Sequence, residues 1–212
     1  MRNFNNMNSS VAYIYGFLPT DFGRVSDAMM ESATDNSVYT WENNSIYYII
    51  NGIWSPLKRV DDGWSFWNGV RSANLFLENF DPKVLERFQY NEDYDEMIDK
   101  ASKFSLEVRF LRAFYLFELA KRYGDIPLIT RTYTQEEINS VRKTSFADVI
   151  DFIAKECTEI TREGGLPEDG IRGETGRVTK GAALALKSRA LLYAASDLHN
   201  PGHDLVKWEA AA

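Results

Sequence analysis

Phe110-Leu111-Arg112-Ala113-Phe114-Tyr115-Leu116-Phe117, in the middle of the segment from Asp93 to Tyr123, is apolar on nearly every side of a helix. A helix of that kind lies inside a domain, with other elements packed around it. The segment stops at Gly124, a good left-handed cap, and Pro127 three residues on keeps the helix from resuming. Arg109 and Arg112 fall within the apolar stretch, where an isolated charge would be costly. Their stems are therefore expected to pack along the helix and their heads to pair with carboxylates, a structural role.

Outward from this core helix, other helical patterns follow. Trp64 to Phe80 repeats Trp64, Trp67, Val70, Asn74, Leu77 and Phe80 at three or four residues, with both tryptophans read as core, and Asp81-Pro82 ends it. Ser145 to Ile160 is amphipathic: Ser145 can cap, Asp148 suits the helix start, and Phe146, Val149, Ile150, Ile153, Cys157 and Ile160 make the stripe. Thr179 opens an Ala-rich helix to Ser196 after a glycine-rich loop from Gly164 to Gly176, and Val11 to Leu18 reads as a short helix stopped by Pro19. Lys207-Trp208-Glu209 opens a last helix of only about seven residues, too short to stand alone, so Trp208 is expected to need a partner further along the natural chain. About six helices and no strand make the fold class all-α. Leu111-Arg112-Ala113-Phe114-Tyr115-Leu116 is echoed by Ser188-Arg189-Ala190-Leu191-Leu192-Tyr193. Such an echo is compatible with stacked helical hairpins of tetratricopeptide type, although no period near 34 is present.

Between these patterns, residues 21 to 63 hold no period. Tyr39, Trp41, Tyr47, Tyr48 and Trp54 are interleaved with turn formers such as Asp35, Asn36, Asn43, Asn44 and Gly52. An irregular stretch this long, rich in aromatics, reads as a binding loop. Flat aromatics beside amide and carboxylate groups can stack on sugar rings and hydrogen-bond their hydroxyls, so Trp41, Trp54, Asp35 and Asn43 are the candidate ligand-binding residues. Core packing is an almost equal alternative for either tryptophan.

The 212 residues are 44% hydrophobic and 26% charged, which places the chain among globular proteins. At that length about 70% of the unfolded surface is buried on folding, so no disulfide is needed. A net charge of −7 opposes non-specific attraction to nucleic acid or anionic membranes. The longest apolar run, Ala190 to Ala195, is far short of the about 20 residues of a spanning helix. The N-terminus carries neither a signal core nor a lipid-accepting cysteine, so an exported form would be a processed or cut chain.

The chemical motifs resolve to ordinary structure. His199 and His203 have zinc-ligand spacing, but Asn200-Pro201-Gly202 between them forbids the helix. Gly176-Arg177-Val178-Thr179-Lys180-Gly181 has phosphate-loop spacing but is followed by Ala182 and Ala183 where Lys and Ser or Thr are required. Cys157 sits on an apolar stripe and reads as core. Asp61-Asp62 and Asp93-Asp95-Glu96 read as solvated carboxylates. No catalytic residue, metal site or cofactor is expected.

Residues 107 to 129, from Glu107-Val108-Arg109-Phe110-Leu111-Arg112 through Lys121-Arg122-Tyr123-Gly124-Asp125-Ile126-Pro127-Leu128-Ile129, closely resemble the signature of the SusD/RagB family of outer-membrane nutrient-binding lipoproteins. Thr34-Asp35, Trp64 and Asn74-Leu75-Phe76-Leu77-Glu78 resemble the family's N-terminal half in order. Gly176 to Ala183, Leu191 to Ser196 and Lys207 to Ala211 resemble its later helices. The resemblance implies tetratricopeptide-like hairpins with an irregular binding portion, no enzymatic activity and a lipid anchor at the cell surface. It also implies an oligosaccharide or, in some branches, a peptide ligand, delivered to a TonB-dependent, SusC-like transporter. Members are usually about twice this long, so the chain is expected to be an N-terminal region of one domain, irregular over 21 to 63 and helical over 64 to 212. The competing readings are a fragment of a helical glycoside hydrolase of α/α-toroid type and an intracellular tetratricopeptide adaptor.

Overall fold

Tyr94–Tyr123 is the longest helix, and its apolar faces gather the others around it. The computed structural model describes residues 3–20, 22, 25–169 and 174–211. These residues form two compact units, one of residues 18–64 and one of residues 1–17 and 65–212.

The larger unit is helical: α1 (Phe4–Tyr15), α3 (Phe66–Asn79), α4 (Tyr94–Tyr123), α5 (Gln135–Ile138), α6 (Phe146–Ile160), α7 (Lys180–Ala195) and α8 (Leu205–Ala211), with a 3-10 turn at Pro82–Phe88. Helix α4 is packed by α3, α1 and α6, α6 by α7, and α7 by α8, a succession of helical hairpins. The caps follow from local chemistry. Ser145 and Thr179 accept from the N–H groups of Asp148 and Ala182, and Gly124 takes φ 68° at the end of α4. All six residues of the expected α6 stripe are buried, and Cys157 lies among them. Its thiol is pushed up to about 12 by burial.

Three expectations need correction. The first helix is not Val11 to Leu18 but Phe4–Tyr15, because the Asn3 side chain accepts from Asn6 N–H at 2.8 Å and starts the helix inside the Asn-rich stretch. Met7, Val11 and Ile14 then form its buried stripe. Helix α3 begins after Trp64, whose N–H donates to the Asp62 carboxylate at 3.0 Å and whose ring is 60% exposed. The buried face of α3 is accordingly Phe66, Gly69, Val70, Ala73, Asn74 and Phe76, and Trp67 is only half-buried. Finally, the described residues hold eight α-helices rather than about six, the additional ones being short. Only isolated bridges stand where strands would be, among the described residues. One of them joins Ile126 to Thr144, tying the segment after α4 to the start of α6.

The smaller unit closes on its own apolar cluster. Val25, Ala28 and Ile46 are fully buried, and Ala33, Tyr39, Tyr47, Ile49 and Val60 pack against them. It contains a 3-10 turn at Met30–Ala33 and the short helix α2 (Ile46–Ile50). The absence of period in the sequence reflects elements of about one turn each, too short for a repeat to register.

Candidate functional site

Trp41 and Trp54 precede and follow α2 in the chain and are 72% and 63% exposed. The backbone at Trp54 is well held. Ile53 N–H and Trp54 N–H both donate to the Tyr48 carbonyl at 2.9 Å, folding the chain back after the helix. Trp41 meets the Tyr39 ring edge-on, centroids 6.3 Å apart, and the Tyr47 hydroxyl donates to the Tyr39 carbonyl. Tyr39 and Tyr47 pack against the buried cluster, so Trp41 is braced through Tyr39.

The polar side chains of the smaller unit divide into those that brace its turns and those that do not. Asn44 donates to the Ser26 carbonyl and accepts from Ile46 N–H at 2.9 Å, which makes it structural. The Asn36 amide donates to Glu31 at 2.7 Å, and Thr34 bonds to the same residue. Asp35 and Asn43 are exposed and have no side-chain partner among the described residues. All four candidate residues thus lie on the smaller unit and are exposed. Leu57, 96% exposed, stands in a turn closed by Lys58 N–H donating to the Ser55 carbonyl at 2.9 Å, and Pro56 at the second position of that turn puts it at the apex.

Among the described residues, two buried polar assemblies join separate elements of the helical unit. In the first, Arg109 grips Glu156 through two hydrogen bonds of 3.1 and 2.8 Å, and Arg112 donates to the same carboxylate at 3.0 Å. Arg112 also donates at 3.0 Å to the Asn74 side-chain oxygen and to the Thr130 carbonyl. The Asn74 amide donates in turn to the carbonyls of Ile129 and Arg131, both at 3.1 Å. The expected carboxylate partner of both arginines is therefore Glu156. Burial pushes its carboxyl up, but the Arg109 and Arg112 bonds and charges outweigh that and hold it below the usual carboxylate range. In the second assembly the Tyr15 hydroxyl donates to Glu107 at 2.6 Å and accepts from Val178 N–H, while Arg177 bridges Glu107 and Glu174 at 3.2 and 2.7 Å. Here burial wins, and the Glu107 carboxyl titrates above its usual range despite Tyr15 and Arg177.

These assemblies hold helices and segments together. His199 stacks on Phe146 with centroids 3.7 Å apart, and His203 lies in a turn with φ 51°. Among the described residues no cluster of three or more His, Cys, Asp or Glu could hold a metal.

A family model described as SusD-like, starch-binding and associating with the outer membrane matches residues 8–192. No curated protein matches the chain. Among solved structures, a SusD-like protein of Bacteroides fragilis is 26% identical with a TM-score of 0.71, covering 99% of this chain and 38% of its own length. A SusD-like carbohydrate-binding protein of the same species is 25% identical with a TM-score of 0.62, over 98% of this chain and 40% of that one. A laminarin-binding SusD-like protein shares the fold at 23% identity and a TM-score of 0.71, over 96% and 43%. The chain thus spans about two fifths of the length of the structures it matches.

Proposed function

The chain belongs to the SusD-like family, and from that premise we propose that it is the N-terminal region of a glycan-binding protein that captures its ligand without cleaving it. The bound oligosaccharide passes to a TonB-dependent, SusC-like transporter, and a lipid anchor in the full-length protein holds it at the outer surface of the outer membrane. The family description supports carbohydrate binding and outer-membrane association. No described helix is long and apolar enough to cross a membrane.

The observation that carries the ligand class is that two exposed tryptophans lie on the same unit as exposed Asp35 and Asn43, whose side chains have no partner among the described residues. An indole face offers the apolar C–H face of a pyranose a flat contact, and the carboxylate and amide satisfy hydroxyls that would otherwise lose water on binding. A charged or purely apolar ligand would use this set less well. Titrating the full-length protein with maltoheptaose and laminarihexaose in a calorimeter, and assaying the same mixtures for new reducing ends, tests the reading. Saturable heat with no new ends is the expected result. New reducing ends would make the protein a hydrolase, and binding of peptides in place of both glucans would move it to the peptide-binding branch.

A further inference from the structure

We propose a second saccharide contact site on the helical unit, in the groove between α1 and α3, separate from the candidate residues of the smaller unit. The groove encloses about 580 Å³, within the range of about 300–1,000 Å³ usual for small-ligand sites. Its floor is Ile14 and Phe76, both buried. Its rim is Ser9, Ser10, Tyr13, Ser72, Leu75 and Asn79. No residue lining it is charged, in a protein that is one-quarter charged residues. That composition selects for a neutral ligand.

Tyr13 supplies the platform. Its ring is 65% exposed, yet held by an edge-on contact with Phe17 at 5.2 Å, and Phe17 meets the buried Tyr115 edge-on at 6.5 Å. Exposed ring area fixed from behind is suited to stacking, because little side-chain freedom is lost on binding. Around it the polar groups have capacity to spare. The hydroxyls of Ser9, Ser72 and Tyr13 have no partner among the described residues. Ser10 donates to the Asn6 carbonyl at 2.7 Å and Asn79 donates to the Leu75 carbonyl at 2.8 Å, leaving their oxygens free to accept. A docked helix would need a row of apolar anchors at helical spacing, and here only Tyr13 and Leu75 are both apolar-faced and exposed. Short hydroxyl and amide groups around one aromatic face match a neutral pyranose better.

The inference rests on the glycan-binding reading for its ligand class but on different residues, so the two fail separately. The test is to titrate the ¹⁵N-labelled full-length protein with maltoheptaose and with laminarihexaose and follow backbone amides. The expected result is shifts at Ser9, Ser10, Tyr13, Ser72 and Asn79, with affinity at these amides falling at least tenfold in Tyr13→Ala. Ser72→Leu, which fills the groove and leaves the platform in place, should do the same if Tyr13→Ala lowers the melting midpoint. In the Trp41→Ala/Trp54→Ala double variant the groove shifts should persist. Absence of groove shifts with both glucans overturns the proposal, as do groove shifts that survive Tyr13→Ala and Ser72→Leu in folded protein. Self-association in sedimentation that Tyr13→Ala abolishes would make the groove a protein contact and overturn it as well.

Discussion

Arg112 joins three elements through one guanidinium: Glu156 of α6, Asn74 of α3 and the Thr130 carbonyl in the segment after α4. Truncation strands the Asn74 oxygen and a carbonyl and leaves Glu156 with Arg109 alone, so Arg112→Ala should cost about 2–4 kcal/mol in urea denaturation. A surface arginine would cost under about 0.5 kcal/mol. Arg112→Lys should recover only part, since a point charge cannot serve three acceptors in a fixed plane. An unchanged midpoint for the alanine variant would remove the arginine from the frame. Glu156 adds a pH dependence with a definite sign. Its folded carboxyl is held below the unfolded value, so its stabilisation is complete above the ordinary glutamate range near about 4.3 and is lost as pH falls through the folded value. Glu118, buried but paired with Arg122 and Lys121 at 2.7 Å, acts in the same direction. Denaturation midpoints should therefore fall with pH below about 4, and in Glu156→Gln that fall should be shallower from a lower starting stability at neutral pH. Cys157, with its thiol pushed up to about 12, should react with a thiol reagent at pH 8 only as fast as the protein unfolds.

At the scale of elements, the α3–α4 contact depends on a glycine. A Cβ on Gly69 would lie 2.6 Å from the Tyr115 ring, which is fully buried, stacked on Phe66 and fixed by its hydroxyl donating to the Ile14 carbonyl. That ring has no room to yield, so Gly69→Ala should destabilise by about 1–3 kcal/mol in the same assay, although alanine is the better helix former by about 1 kcal/mol. A more stable variant would show that the ring can shift. The long central helix, the Ser145 and Thr179 caps, the α6 stripe and the arginine–carboxylate pairing were all legible because local chemistry and long-range packing agree there. Elsewhere they diverge. Asn3 and the polar turn of α1 hide a helix whose stripe, Met7, Val11 and Ile14, gains its meaning only when α4 packs on it. Trp64 fits the α3 spacing by number but precedes the helix and belongs to the smaller unit. No period could reveal the Val25, Ala28 and Ile46 cluster, whose members come from separate turns. The candidate aromatics were legible as residue types, whereas their bracing by Tyr39 and by the Tyr48 carbonyl depends on the folded unit.

For the molecule as a whole, the helical unit supplies a rigid frame through buried ion pairs, and the smaller unit presents exposed rings over its own core. Binding residues often sit on short surface turns, and the proposed placement of Trp41 and Trp54 there follows that pattern. It also separates the two consequences of removing a tryptophan. A buried ring would cost about 3–5 kcal/mol in folding, whereas a stacking platform weakens binding by about 1–3 kcal/mol and leaves stability nearly intact. The direct measurement is paired calorimetry and urea denaturation of the full-length protein and its Trp41→Ala and Trp54→Ala variants, with maltoheptaose and laminarihexaose as ligands. Glucan affinity lowered about 5- to 150-fold in each variant, with a denaturation midpoint close to the parent's, is the predicted result. Parental affinity in both variants, or variants that fold poorly, would contradict the assignment of the sugar-binding face to these tryptophans.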